Sequence, residues 1–593
     1  VNDRFIRDLP FGASLIAPNL TRFRLWAPAG KHVEVEVEGW PLVTMNDAGD
    51  GCFEAEVPCG AGARYRYRLE SGLAVPDPAS RAQADDVHGP SLVIDPRAYC
   101  WHQPDWRGRP WQETVLYELH VGAFGGFAGV EAALPALADL GVTAVELMPV
   151  NDFPGKRNWG YDGVLPFAPD RSYGTPDELK ALVDAAHRLD LMMFLDVVYN
   201  HFGPDGNYIA AYAPGFFRDD IATPWGAAID FRRPQVRRFF TENALYWLHE
   251  YRFDGLRFDA VHAIADPGWL DEMAAEVRRS VEPGRHVHLV LEHDGNEADH
   301  LRRNFDAQWN DDAHHALHVL LTGEGDGYYR DYADDPPRHL ACCLSEGFAY
   351  QGEASTYRQG KARGTPSADL SPTSFVLFLQ NHDQIGNRPF GDRLAASVEP
   401  RVIEAAIALQ LLCPQIPLIF MGEEEASVTP FLFFTDHQGG LAEAVREGRR
   451  REFAAFKGFA AGEDASTVPD PNELSTFEKS RTTPDPARGA TRRAFYRELL
   501  ALRAHALVPR LRGTTSLGAT AVGPAAVVAR WRLADGAILT LAVNLGREAC
   551  AIEELPEELG DDLLFESTRG AAVAARAGLL AAATTVASVV PAP

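Results

Sequence analysis

The sequence predicts an α/β protein: a (β/α)₈ TIM barrel with an N-terminal β-sandwich and a small C-terminal β-sheet domain. Three observations carry that prediction. At 593 residues the chain exceeds one compact core. From Val115 onward, short continuously apolar runs alternate with helical stretches, as parallel strands covered on both faces require. At the two ends of the chain the pattern changes to period-two alternation, the mark of half-buried antiparallel strands.

Residues 1–98 form the expected sandwich. Arg22–Trp26, Val33–Val37 and Arg64–Leu69 alternate polar and apolar residues, and Gly and Pro turn signals separate them. Residues 99–112 hold Trp101, Pro104, Trp106, Pro110 and Trp111, a stiff aromatic link that packs the sandwich against the next domain. Within residues 113–508 the strand candidates are Val115–Val121, Ala144–Val150, Met192–Val198, Asp254–Val261, His286–His293, Ala307–Trp309, Ser374–Asp383 and Ile416–Glu424. One intervening helix is well marked: Thr175 as N-cap, Pro176 first, Asp177 and Glu178 in the first turn, then Leu179, Leu182, Val183 and Ala186. The span of about 390 residues is longer than the usual ~250, so insertions are expected at 311–372 and 425–486. After a helix over Ala494–Arg503, Ala526–Trp531, Ala537–Asn544 and Thr584–Val590 predict a sheet within residues 509–593.

The net charge of −27 disfavours nucleic acid and anionic membrane surfaces and suits a neutral substrate such as a sugar. Seven scattered cysteines form no CxxC pair or Cys/His cluster, which predicts a reducing compartment and no zinc site. Val1–Leu9 carries Asp3, Arg4, Arg7 and Asp8 and lacks the apolar centre of a secretory signal. Gly578–Val590 is too short to span a bilayer. The expectation is a cytoplasmic protein without membrane partners.

A polar residue in a buried strand is costly unless it acts or pairs. Here acids end apolar runs repeatedly: Asp196, Asp259, Glu292 and Asp383. One such acid is commonly a cap or ion-pair partner; four on parallel strands converge on the carboxyl rim, where such barrels hold active sites. Arg257 shares a strand face with Asp259 and should keep it ionised as a nucleophile. Glu292 follows Leu289–Leu291, an apolar setting that raises a carboxyl pKa and preserves a general acid. Carboxyls roughly 5–5.5 Å apart would give retention through a covalent glycosyl-enzyme. His286 and His288 alternate on the strand leading to Glu292; a structural role is favoured over a metal pair.

The segments Asp196–His201, Gly255–His262, Glu292 and Asn381–Asp383 resemble the four short signature regions of the α-amylase family of glycoside hydrolases, in order and in strand placement. The resemblance implies Asp259 as nucleophile, Glu292 as acid/base and Asp383 as the third acid. Arg257, His201 and His382 would line the −1 subsite, with Asp196 supporting Arg257 and Tyr161 as the stacking aromatic. Phe23–Pro28 and Val75–Pro78 resemble the sandwich module that precedes branching, debranching and trehalohydrolase enzymes, and Tyr117–Gly122, Glu146–Pro149, Gln308–His315, Gln380–Arg388, Thr429–Phe434 and Glu447–Arg450 are similar to the maltooligosyltrehalose trehalohydrolases within that family. This implies hydrolysis of the α-1,4 bond next to the terminal trehalose of maltooligosyl trehalose. Asp162, His262, Asp311, Asp312, His314, Gln384 and Glu424 are then candidate substrate-binding residues. Asn200 corresponds to a calcium ligand of some amylases, but no acidic ligand set accompanies it, so neither metal nor cofactor is expected. The segment after Gly122 is short, Glu425 stands where an aromatic is usual, and His293-Asp294 departs from the usual pair. Two other readings are a glucanotransferase such as a branching enzyme, which the Asn381–Gly386 motif argues against, and a non-catalytic glucan-binding protein, which would require a missing acid.

Overall fold

A computed structural model describes residues 2–454, 467–552 and 562–591. Residues 455–466, inside the second expected insertion, lie outside the described residues.

All eight strand candidates enter one closed parallel barrel. The strands are β1 (Leu116–Leu119), β2 (Ala144–Leu147), β3 (Met192–Val197), β4 (Gly255–Phe258), β5 (His288–Leu291), β6 (Ala307–Trp309), β7 (Phe375–Phe378) and β8 (Ile416–Phe420), neighbours in chain order, with β8 closing on β1. Their residues are buried throughout, so continuous apolarity was the right signal. Most strands stop short of the expected ends because apolar residues continue into the buried loops above them. The difference matters at Asp383: β7 ends at Phe378, and Asp383 lies in the first turn of a short helix, His382–Gly386, capped by Asn381.

The helix Pro176–Arg188 carries the full capping box: Thr175 accepts from the Glu178 N–H and Glu178 reaches back to the Thr175 N–H. The expected insertion at 311–372 is more regular than its composition implied. It contains helices Asp311–Thr322 and Pro336–Glu346, whose N-caps are Asn310 and Asp335; the Asp and Pro residues there begin helices instead of interrupting them.

Ahead of the barrel, two antiparallel sheets face each other. One contains Gly12–Ala17, Leu20–Trp26, Cys52–Val57 and Asn46–Gly49; the other is built on Val33–Val37 and Arg64–Leu69. Phe23, Leu25, Val35, Phe53, Tyr65 and Tyr67 fill the space between them. The sandwich is fastened to the barrel by Arg81, whose Nη1 meets the buried Glu250 carboxylate at 3.2 Å. The aromatic link closes the barrel base: Trp106 Nε1 donates to Asp254 at 2.9 Å and Trp111 Nε1 to the Thr373 carbonyl at 2.7 Å. Past the barrel, Thr515–Gly523, Ala526–Arg532, Ile538–Asn544, Thr584–Val590 and Leu563–Glu566 form an antiparallel sheet in that order. Thr585 Oγ1 and Trp531 Nε1 tie it to helices Pro400–Leu412 and Pro336–Glu346. No helix among the described residues is long and apolar enough to cross a membrane.

Candidate active site

Arg257 organises the mouth of the barrel. Its side chain points inward from β4, buried to 1 % exposure, with its guanidinium carbon 4.1 Å over the Trp309 ring. Nη1 donates to Asp196 Oδ2 at 2.6 Å and to Asp259 Oδ1 at 2.9 Å, while Nη2 donates to Glu292 Oε2 at 2.7 Å. The acids that end β4 and β5 are therefore held on the two terminal nitrogens of one guanidinium. The backbone contributes as well. Ala260, just after Asp259, takes a left-handed conformation (φ 41°), and its N–H donates to Glu292 Oε2 at 2.8 Å.

One positive charge cannot hold three buried carboxyls ionised, and the environments decide which gives way. Burial works against ionised Asp259, but Arg257, the nearby His201 and a 2.9 Å bond from Asn200 Nδ2 keep its carboxyl below the ordinary range. Burial raises Glu292 well above the usual range; Arg257 opposes this, while Asp259, Asp383 and Asp311 add to it. Asp196, the most enclosed of the three, is pushed up to about 6 by burial despite its bond to Arg257. An ionised acid thus stands beside a protonated one, the division that acid-assisted displacement needs.

Tyr161 donates to Asp196 Oδ2 at 2.5 Å and stacks on His382, centroids 5.0 Å apart at 21°. His382 is paired with Glu118, which also accepts its backbone N–H at 3.1 Å. Burial lowers the imidazole pKa but the Glu118 charge more than reverses this, so the ring favours its charged form. His201 Nε2 donates to the Tyr161 carbonyl at 2.9 Å, and its ring stacks under the half-exposed Trp225, centroids 5.0 Å apart at 13°. Trp225 sits at the turn between the hairpin strands Phe217–Thr223 and Gly226–Ile229. Asp383 accepts from Asn387 Nδ2 at 2.5 Å. Asp311 is half-buried close to Asp383, and burial lifts its carboxyl to about 7. Gln384 accepts from Tyr328 at 3.3 Å, and His262 is exposed one turn beyond Asp259.

Three expected substrate contacts are corrected. Asp312 is fully buried with both oxygens occupied: Oδ2 accepts from Asn296, Ala349 and Tyr350, and Oδ1 from Arg363 and Tyr332. His314 is buried, bonded through Nδ1 to the Leu379 carbonyl at 2.8 Å and stacked on Phe378. Glu424 is turned inward, accepting from Tyr117 at 2.9 Å and the Gly422 N–H at 3.1 Å. All three are structural anchors. Asp162 braces the Tyr161 loop through Asn158 Nδ2 at 2.7 Å and His437 at 3.3 Å.

Several residues were missed. Asn200 is committed to Asp259, donating to its side chain and, at 2.8 Å, to its carbonyl. Glu118 and Glu146 are opposite one another in the β1–β2 register; both are buried, and the Glu146 carboxyl has no hydrogen-bond partner among the described residues. The cost of a polar residue inside an apolar strand, which singled out Asp196, applies equally to these two. Trp309 carried no such mark. Among the described residues, one group of possible metal ligands, His293, Glu297 and His300, has its donor atoms within 4.8 Å of one another. Two of its ring nitrogens are already engaged: His293 Nδ1 accepts from the Gly295 N–H, and His300 Nδ1 bonds Asp271.

The sequence matches the family "Alpha amylase, catalytic domain" over residues 91–213 and "Domain of unknown function (DUF3459)" over residues 514–587. A solved structure from Salmonella typhimurium described as an alpha amylase superposes with a TM-score of 0.91 at 43 % identity, covering 98 % of this chain and 100 % of that one. A pullulanase from Paenibacillus barengoltzii, at 21 % identity and a TM-score of 0.72 over 100 % of this chain and 96 % of that one, shares the fold. Malto-oligosyltrehalose trehalohydrolase from Deinococcus radiodurans is 44 % identical over 506 residues, covering 84 % of this chain and 82 % of the relative. The enzyme of that name from Saccharolobus solfataricus is 41 % identical, covering 75 % and 80 %. The chain belongs to the malto-oligosyltrehalose trehalohydrolase family.

Proposed function

We propose that this protein is a retaining α-glycosidase that hydrolyses the α-1,4 bond next to the terminal trehalose of maltooligosyl trehalose, releasing trehalose and a maltooligosaccharide. The observation that carries the reading is Arg257, which joins Asp259 and Glu292 while their surroundings drive the two carboxyls to opposite protonation states.

Glu292 donates its proton to the leaving glycosidic oxygen as Asp259 attacks the anomeric carbon. The glycosyl ester forms and trehalose departs with that proton. Ionised Glu292 then removes a proton from water, which displaces Asp259 and restores both acids. Asn200 and Arg257 fix the Asp259 oxygens, so little reorganisation is needed during attack. Asp383 and His382 hydrogen-bond the sugar hydroxyls over Tyr161, contacts that tighten as the ring flattens toward an oxocarbenium ion, while His201, both of whose ring nitrogens are taken by Tyr161 and Asn200, holds the Tyr161 loop in place. Asp311, Gln384, His262 and Trp225 supply the rim for the neighbouring sugars.

The division into residues 1–98, 99–112, 113–508 and 509–593 belongs to the same reading. No disulfide joins two cysteines among the described residues, which supports a cytoplasmic setting. Incubation with maltotriosyl trehalose and, separately, maltopentaose tests the assignment. Chromatography should detect trehalose and maltotriose from the first and far slower cleavage of the second; equal cleavage, or transfer products without free trehalose, would overturn it.

A further inference from the structure

At the end of the barrel opposite the carboxylates, a polar cavity of about 510 Å³ opens beside the start of β5. That volume falls within the ~300–1,000 Å³ of small-molecule sites. Trp111 forms part of its wall, with Arg278, Arg285, His286, His288 and Arg512. Two acids also line it, and both are neutralised. Asp306 Oδ2 accepts from Arg278 at 2.5 Å and from the Leu289 N–H at 2.8 Å, and Glu282 accepts from Arg4 at 2.5 Å.

Two guanidinium groups are left over. Arg285 donates to the Phe253 carbonyl at 2.9 Å, its Nε is buried without a partner, and no carboxylate is within ion-pair distance among the described residues. Arg512, the residue that ends helix Val508–Leu511, makes no hydrogen bond or ion pair among the described residues. His288, 3 % exposed, donates through Nε2 to the Arg109 carbonyl at 2.8 Å and packs into the cavity wall. Asp254 and Glu282 act on Arg285 only from beyond contact distance, and Arg512 touches no acid among the described residues, so a bound dianion would supply the contact partner that both guanidiniums lack.

We propose that this cavity binds a small phosphorylated polyol, with Arg285 and Arg512 on the phosphate and Trp111 against the carbon face. Two guanidiniums match a dianionic phosphate better than a single carboxylate. The Trp111 wall favours a carbon-bearing ligand over free phosphate.

Glucose 6-phosphate, inorganic phosphate and glucose are the probes, titrated into the full chain at fixed ionic strength because salt screens such contacts. Calorimetry and thermal melting give the readout. The expected order is glucose 6-phosphate tightest, inorganic phosphate weaker and glucose undetected. Arg512→Gln and Arg285→Gln should each weaken glucose 6-phosphate about tenfold or more, the size of one charge-assisted contact. Arg512 is exposed, so its replacement keeps the test open if Arg285→Gln fails to fold. Glucose 6-phosphate binding weaker than about 10 mM, undiminished affinity in Arg512→Gln, or equal affinity for inorganic phosphate would each overturn the proposal.

Discussion

Asp254 and Asp259 flank the same strand, β4, one at the base of the barrel and one at its mouth. Both are held below the ordinary carboxylate range against the effect of burial. At the base, Asp254 is fully buried and takes bonds from His187 at 2.9 Å, Trp106 at 2.9 Å and the Met193 N–H at 3.0 Å. At the mouth, Asp259 takes bonds from Arg257 and Asn200 but keeps 12 % of its side chain open. Ionisation alone therefore does not make a nucleophile. The mouth adds access and a second acid, Glu292, which the same guanidinium cannot also hold ionised. The base spends its partners on closure, the mouth on an unequal pair.

The comparison can be broken most forcefully at Asp259. Asp259→Asn should lower kcat by at least ~10⁴-fold in trehalose release while thermal melting stays near wild type. Next is Glu292→Gln, expected to cost ~10²- to 10⁴-fold. Activity needs Asp259 ionised and Glu292 protonated, so wild-type kcat should fall at acid pH as the first gains a proton and at alkaline pH as the second loses one. The coupled pair sets both apparent limits, and Glu292→Gln should abolish the alkaline one. Asp254→Asn should do the reverse: a stability loss of about 3 kcal/mol by denaturant titration, with kcat of the folded fraction unchanged. An activity loss there without unfolding would erase the distinction between the two ends.

Glu423 sharpens the comparison through pH. It is buried, accepts from the Phe420 N–H and Tyr496, and burial pushes its carboxyl up to about 8. A carboxyl raised on folding favours the native state below its unfolded pKa, and that contribution is lost as pH rises through about 8. Tm should fall from pH 5 to pH 9, and Glu423→Gln should flatten the slope. The smallest effect is expected for Trp225→Ala, a loss of stacking worth about 0.5–1.5 kcal/mol, read as a rise in KM of roughly 2- to 10-fold with kcat little changed.

The barrel and its principal acids were legible because burial makes polar residues conspicuous: Asp196, Asp259 and Glu292 each interrupt or end an apolar run. Asn200 was not, since its partner lies on another strand and an amide has no preferred place in a sequence pattern. The errors at Asp312 and His314 have a geometric origin. Successive helical residues point about 100° apart, so Asp311 can lie near Asp383 while Asp312 turns into the core. A motif gives the order of residues but not the rotation of the helix that carries them. The base of the barrel was hidden because Trp106 and Trp111 read as a linker, and their bonds to Asp254 and Thr373 are contacts between distant parts of the chain.

The grip of Ala260 on Glu292 has a bearing on variation at this site. Because the donor is a main-chain amide, a library that swaps side chains through the pocket leaves that contact in place, apart from proline. Ala260→Gly would relax the unusual φ and keep the donor, whereas Ala260→Pro would delete it. The spacing of the two acids is thus partly inherited from backbone shape, and substitution by residue identity alone explores only some of the ways it can change.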